Sequence, residues 1–462
     1  MHDNPSPHAD YEGIGPATAR SLQYRLAAAQ RDARVPSVVA SVARRGEPVW
    51  FGAAGNVAQQ APTEQTQYRI GSITKTMIAV CVMRLVERGE VDLADPIGKH
   101  LPDAPAPDST VHQLLSHTAG LASETPPPWW ERTSGEHRPR LQDVLTEDPR
   151  RHPPGRVHHY SNPGFGLLGE LVTARSGRPW FEVLRQDVLV PLGMRRTSYH
   201  PSAPHATGWA VHPWADVLLP EPAHDHGLLA AAGQLWATPG DLCRFGVFLA
   251  GDGSAVLSRE ALELMRTPAV EPDAAWAGSY GLGVQHLRFD DRVVFGHTGS
   301  MPGFLAVLMS SVQDGLTVAV QANAWSQLAI RDLTGDLVRI VCEQEPTMPV
   351  AWAPADHADP AAYELVGPWY WGAVSMSLSL RADGTLQLAG LGQRGRAARF
   401  VAAGDGRWRG LDGYYHGEFL QPCRNAAGEV THLDLGSFVL TREPYAPGDV
   451  VPDGLDLGGW QV

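Results

Sequence analysis

An α+β domain built on an antiparallel sheet, followed by a small β-barrel, is the architecture expected of this 462-residue chain. Three observations lead there. Strand-like segments stand near both ends of the first part of the sequence with helical patterns between them, so early strands must pair with late ones. A Pro/Ala-rich stretch then interrupts the chain, and its length exceeds what one hydrophobic core usually serves. Beyond that stretch, short strand patterns recur with Asp383-Gly384 and Asp412-Gly413 as hairpin turn signals. The expected division is 1–345 for the first domain, 346–358 for the linker and 359–462 for the barrel.

The elements follow in order. Residues 17–32 suit a surface helix, and 35–56 alternate around Arg45-Gly46-Glu47 as a β-hairpin. Residues 72–90 carry Met77, Ile78, Val80, Cys81, Met83, Leu85 and Val86 at helical spacing. Strands are expected at 281–287, 293–297 and 304–322. In the second domain they are expected at 375–380, 386–388, 399–401, 417–420, 430–435 and 438–441. Gly367-Pro368-Trp369-Tyr370-Trp371-Gly372 resembles the G-x-W opening of lipocalin-type barrels.

Composition narrows the function. With 43% hydrophobic and 19% charged residues the chain has an ordinary globular balance. A formal net charge of −13 argues against a nucleic-acid partner, which requires a basic face. No stretch approaches the ~20 apolar residues of a membrane helix. Met1 to Asp10 is polar and lacks the basic-then-apolar pattern of an export signal, so a cytoplasmic location is expected. Cys81, Cys243, Cys342 and Cys423 match no metal spacing and read as reduced thiols. No metal or other cofactor is expected. His152, His158, His159, His224 and His226 lie in loops without carboxylates at ligand spacing.

Three motifs carry chemistry. Ser72-Ile73-Thr74-Lys75 opens a helix, and residues three apart share a face, so Lys75 reaches the Ser72 hydroxyl. A serine needs a neighbour to take its proton, a role that suits a desolvated lysine. Tyr160-Ser161-Asn162 supplies a phenol whose pKa a nearby lysine would lower, making it base and then acid, and an amide for a substrate carbonyl. Gly296-His297-Thr298-Gly299, at the end of a strand, offers Thr298 and Gly299 to a bound peptide. The Ser300 N–H would form an oxyanion hole with that of Ser72.

Taken together and in this order, the motifs resemble the serine β-lactamase and penicillin-binding protein family, in its class C-like branch. The resemblance covers about residues 13–341 and extends to Leu114-Leu115-Ser116-His117-Thr118-Ala119-Gly120, Pro191-Leu192-Gly193-Met194 and Ala232-Gly233-Gln234-Leu235-Trp236. It implies Ser72 as nucleophile, Lys75 as its activator, Tyr160 as general base and acid, and Asn162 as a substrate-contacting amide. Gly233 falls in a substrate-facing segment. His297 stands where the family's β-lactamases carry a lysine, so a fixed cation for a β-lactam carboxylate is missing.

Other signals are secondary. Gly164-Phe165-Gly166-Leu167-Leu168-Gly169 spells G-x-G-x-x-G without a preceding strand and reads as close helix packing. His117 reads as a structural hydrogen-bonding residue. Trp129 and Trp130, in a proline-rich loop, are candidate walls for an apolar substrate side chain. Arg442 is a candidate cation for a peptide carboxylate, with a solvated surface arginine as the alternative. Without an export signal, without the strand cation and with a barrel appended, the chain looks most like the penicillin-binding-protein-type thioesterases of nonribosomal peptide pathways. That resemblance implies head-to-tail closure of a peptidyl thioester with a C-terminal D-residue, its partner being the peptide or a carrier protein that bears it. A cytoplasmic D-residue peptidase or esterase uses the same motifs, and a non-catalytic penicillin-binding sensor is the remaining alternative.

Overall fold

The computed structural model describes residues 13–134, 141–270, 278–325, 327–349, 351–357, 359–392, 396–446 and 448–452. The polar leader Met1–Asp10 lies outside the described residues. The chain divides into two compact units, Met1–Thr347 and Met348–Val462.

In the first unit a seven-stranded antiparallel sheet runs in the order Glu47–Gly55, Ser37–Arg44, Leu316–Ala322, Phe304–Ser311, Arg292–Met301, Gln285–Phe289, Gly278–Tyr280. The early hairpin therefore pairs with the late strands, Val38 opposite Ala322 and Arg44 opposite Leu316. Ser37–Arg44 is buried along its whole length because helices cover both faces of the sheet. On one face, helices Pro16–Asp32 and Ile330–Gln344 bury Leu22, Leu26, Leu333 and Leu337 against Val38, Val42, Val307 and Val318. On the other, a larger core gathers around helices Ile73–Glu87, Asn162–Ser176 and Pro239–Ala250.

The glycines of the G-x-G-x-x-G segment lie inside helix Asn162–Ser176 and let the short helix Ala230–Gly233 approach. A Cβ on Gly169 would fall 2.5 Å from the Ala231 Cβ. That close approach fixes the carbonyl of Ala232 behind the nucleophile.

In the second unit eight antiparallel strands, from Gly367–Trp371 to Phe438–Thr441, close into a barrel with Tyr370 opposite Thr441. Alternate residues point inward, so Trp369, Leu378, Leu388, Phe400, Leu420 and Leu433 fill it. The Trp369 indole donates to Leu365 O at 2.7 Å, which satisfies its one polar atom in the core.

Some elements differ from expectation. Of the expected strand 281–287, residues 281–284 form a turn, where Gly283 takes a left-handed backbone, and the strand begins at Gln285 and runs to Phe289. Asp412-Gly413 is no hairpin turn: Asp412 accepts from the Arg399 backbone N–H, and Gly413–Tyr415 forms a 3-10 turn. Strand Trp408–Gly410, three residues long, was not anticipated.

Candidate active site

Helix Ile73–Glu87 is buried from Ile73 to Met83, so its first turn is fixed on every side by core packing. The turn before it depends on two glycines. Gly71 has φ +52, and a Cβ there would lie 2.6 Å from Ser300 N; a Cβ on Gly299 would lie 1.9 Å from Ile70 O. Strand Arg292–Met301 can therefore press its Gly299-Ser300 backbone against the Gly71-Ser72 peptide. Ser72 occupies the N-cap without using its side chain as a cap, which leaves the hydroxyl free. Lys75 Nζ lies 2.9 Å from Ser72 Oγ and donates to Ala232 O at 2.7 Å.

Lys75 is fully buried, and burial brings its ammonium down to about 7, with Glu124 and Glu131 pulling the other way. A neutral lysine donates one N–H to Ala232 O and keeps its lone pair for the Ser72 proton.

Tyr160 precedes the second capping segment. Ser161 Oγ donates to Ala122 O and accepts from Gly164 N, and Ser161 N donates to His117 Nδ1 at 3.0 Å. His117 has a left-handed backbone, φ +57, and its ring lies 4.2 Å from the Tyr160 ring; Lys75 Nζ lies 4.9 Å from the Tyr160 centroid. Ser72, Lys75 and Tyr160 therefore meet. The expectation of a lowered phenol pKa needs correction: burial pushes Tyr160 up, against the pull of Ser72, so the resting phenol is protonated. Asn162 Nδ2 donates to Glu124 Oε1 at 2.7 Å, within the protein.

His297 is 2% exposed. Its Nδ1 sits 2.5 Å from Thr298 O, which only accepts, so the proton is on Nδ1. Nε2 then accepts from Tyr280 Oη at 2.9 Å. Burial and Lys75 bring its pKa down to about 3, leaving the ring neutral and both nitrogens engaged. It stands behind Tyr160 and presents no cation to a substrate.

The remaining predicted residues divide. Thr298 N and Oγ1 both bond Gln285 Oε1, and Gly299 lies against the Ile70–Ser72 turn. Gly233 is buried, and a Cβ there would meet Met301 Sδ at 2.8 Å and Gly71 beyond it, so it permits packing of the turn. Trp129 is exposed, while Trp130 is half-buried and stands edge-on to His226 at 5.0 Å. With Pro126, Pro127, Pro128, His226 and Leu229, Trp130 lines a cleft of about 220 Å³. Arg442 is a correction: it donates to Glu364 O, Val366 O and Pro368 O and stacks 3.9 Å over Trp369, so its guanidinium is engaged within the barrel unit. Sequence reasoning missed Glu124, Glu131 and Tyr280. The one signal available was the pair of acidic residues flanking the double tryptophan.

A family model described as beta-lactamase matches residues 23–342, and a model for a domain of unknown function (DUF7586) matches 358–442. Among curated proteins the chain is similar to penicillin-binding protein 4 of Amycolatopsis lactamdurans, with 26% identity over 64% of this chain and 81% of that one. It is also similar to esterase EstB of Burkholderia gladioli, with 30% identity over 58% and 77%. Among solved structures, SurE aligns over 92% of this chain and 99% of its own, with TM-score 0.58 and 25% identity; SurE with D-Leu gives 0.56 and 27% over 93% and 100%. The octameric penicillin-binding protein homologue from Pyrococcus abyssi shares the fold at TM-score 0.62, with 21% identity over 92% of this chain and 99% of that one. Among the described residues no helix is long and apolar enough to cross a membrane. The chain belongs to the β-lactamase family of serine acyl-transfer enzymes, which includes penicillin-binding proteins and esterases.

Proposed function

We propose that this protein takes the acyl group of a peptidyl thioester ending in a D-residue onto Ser72 and passes it to the peptide's own amine, closing the chain head to tail. The observation that carries the acyl-transfer step is the Lys75 Nζ to Ser72 Oγ contact of 2.9 Å inside a buried site. Neutral Lys75 takes the Ser72 proton as Oγ attacks the thioester carbonyl. The oxyanion forms where the Ser72 and Ser300 backbones meet. As the C–S bond breaks, the thiolate receives a proton through Lys75 and Tyr160. An amine then attacks the ester, loses its proton to the same pair, and Ser72 Oγ leaves as the hydroxyl.

Two observations favour a D-residue and argue against a carboxylate-bearing β-lactam. SurE with D-Leu and a D-stereospecific amidohydrolase from Streptomyces sp., both at or above 25% identity, are among the similar structures. The neutral, engaged His297 supplies no charge for a substrate carboxylate. The similarity to esterase EstB keeps hydrolysis as the second reading, since water resolves the same intermediate.

The test is mass spectrometry of products from short linear peptidyl thioesters ending in a D- or an L-residue. A product with the mass of the cyclic amide, formed from the D-ended peptide and absent with Ser72→Ala, supports closure. Free acid alone rejects closure in favour of hydrolysis.

A further inference from the structure

Tyr160 belongs to no helix or strand. It closes the irregular stretch 151–161, of which residues 153–158 are exposed, and helix Asn162–Ser176 begins two residues later. A group that relays a proton must nevertheless be held to within a fraction of an ångström. Here one residue from another part of the chain does the holding. The N–H of His159 donates to His117 O at 2.8 Å, and the N–H of Ser161 donates to His117 Nδ1 at 3.0 Å. The two N–H groups that flank Tyr160 thus end on the same histidine.

His117 is itself fixed. It follows helix Val111–Leu115, and Thr118 N donates back to Gln113 O at 2.8 Å. Its left-handed backbone, φ +57, is one that glycine or asparagine usually takes after a helix. Because Nδ1 accepts from a backbone N–H, the ring proton is on Nε2, where it meets no acceptor among the described residues. The side chain is buried among the rings of Tyr160, Phe165, Tyr280 and His158, with centroids 4.2 to 5.7 Å away. An apolar side chain would pack there without burying an unpaired donor. A protonated ring would set a second N–H against that of Ser161, and burial together with Lys75 keeps the ring neutral. The Nδ1 lone pair is therefore what distinguishes histidine from a hydrocarbon at this position.

We propose that His117 is a positioning residue for the acid–base step, its carbonyl and Nδ1 clamping the backbone on both sides of Tyr160 so that the phenol stays beside Lys75. The inference rests on the reading of Tyr160 as the proton relay of acyl transfer to Ser72.

The experiment compares His117→Asn with His117→Gly in the full chain. Both new residues accept a left-handed backbone and both lack the ring, but the asparagine amide oxygen can replace Nδ1 and glycine offers nothing. Acylation of Ser72 is followed in single turnover with the S-ethyl and S-phenyl thioesters of N-acetyl-D-phenylalanine. Ethanethiolate is the more basic leaving group and depends more on a delivered proton. With the S-ethyl thioester the rate should fall by about tenfold or more in His117→Gly and stay within about threefold of wild type in His117→Asn. With the S-phenyl thioester the fall in His117→Gly should be smaller. In the Tyr160→Phe background the two His117 variants should differ by no more than about twofold, because no phenol is left to position. Equal losses with both thioesters, equal losses in both His117 variants, or a difference between them that survives in Tyr160→Phe overturns the proposal. On the unaltered chain, nitrogen NMR of histidine-labelled protein should show His117 protonated on Nε2 alone between pH 6 and 8. A proton on Nδ1 overturns the proposal even where a variant fails to fold. Should wild-type Ser72 take no acyl group from either thioester, the acyl-transfer reading falls, and the tautomer still decides whether the clamp exists.

Discussion

Lys75 is the residue on which the chemistry turns, and its environment explains why. Burial brings its ammonium from 10.5 to about 7, a cost on the order of 5 kcal/mol for holding the charge in the core. The groups that act on it are Glu124 and Glu131, which favour the charged form, and the neutral His117 and His297, whose own protonation it opposes. The competent base is the neutral amine, so acylation of Ser72 should rise with pH through about 7 and then level off. Removing the carboxylates in a Glu124→Gln/Glu131→Gln chain takes away stabilisation of the ammonium and should move that limb to lower pH. A stopped-flow pH profile checks both. Tyr160→Phe should lower kcat/KM by about 10²- to 10⁴-fold with little change in thermal stability, since the phenol is protonated at rest and relays a proton. Tyr280→Phe removes the donor to His297 Nε2 and should cost about 1–3 kcal/mol in denaturant unfolding.

At the level of elements, the site is a meeting of three backbones that only glycine allows. Gly169→Ala illustrates the balance of effects. Alanine improves helix propensity by about 1 kcal/mol, yet its Cβ would sit 2.5 Å from that of Ala231, and overpacking typically costs about 1–3 kcal/mol. The clash should win. Since Ala232 carries the carbonyl that holds Lys75, both melting temperature and acylation rate should fall; an unchanged rate would detach helix Ala230–Gly233 from the chemistry. The strands that were legible in the sequence, such as the hairpin after Val35 and the strand that carries His297, announce themselves by unbroken apolar or alternating runs. Trp408–Gly410 is too short for such a pattern, and the strand expected from residue 281 starts only at Gln285 because a left-handed glycine outranks apolar content. Ser72 and Lys75 were readable because three-residue spacing on a helix fixes their proximity locally. Glu124, Glu131 and Tyr280 were not, because tertiary packing alone brings them to the site. Arg442 misled for the same reason: its charge is visible in the sequence, but the carbonyls that take it up are not.

For the molecule as a whole, each unit closes its own core. The apolar clusters of the first unit stay within Ile14–Cys342 and that of the barrel within Ala362–Leu440. A chain ending at Thr347 should therefore fold cooperatively and still be acylated, as calorimetry and a labelling assay would establish; an unfolded product would mean that the first unit depends on the barrel. The strand that carries His297 packs on the turn that carries Ser72, so sheet and helices must both be intact before any acyl group can be held. The account as a whole depends on a covalent ester at one serine. Its most direct test is intact-protein mass spectrometry after brief exposure to an N-acetyl-D-phenylalanyl thioester, followed by peptide mapping. The expected result is one acyl adduct per chain, located on Ser72 and absent from Ser72→Ala and Lys75→Met. Turnover without an adduct, or an adduct on another residue with Ser72→Ala fully active, would contradict it.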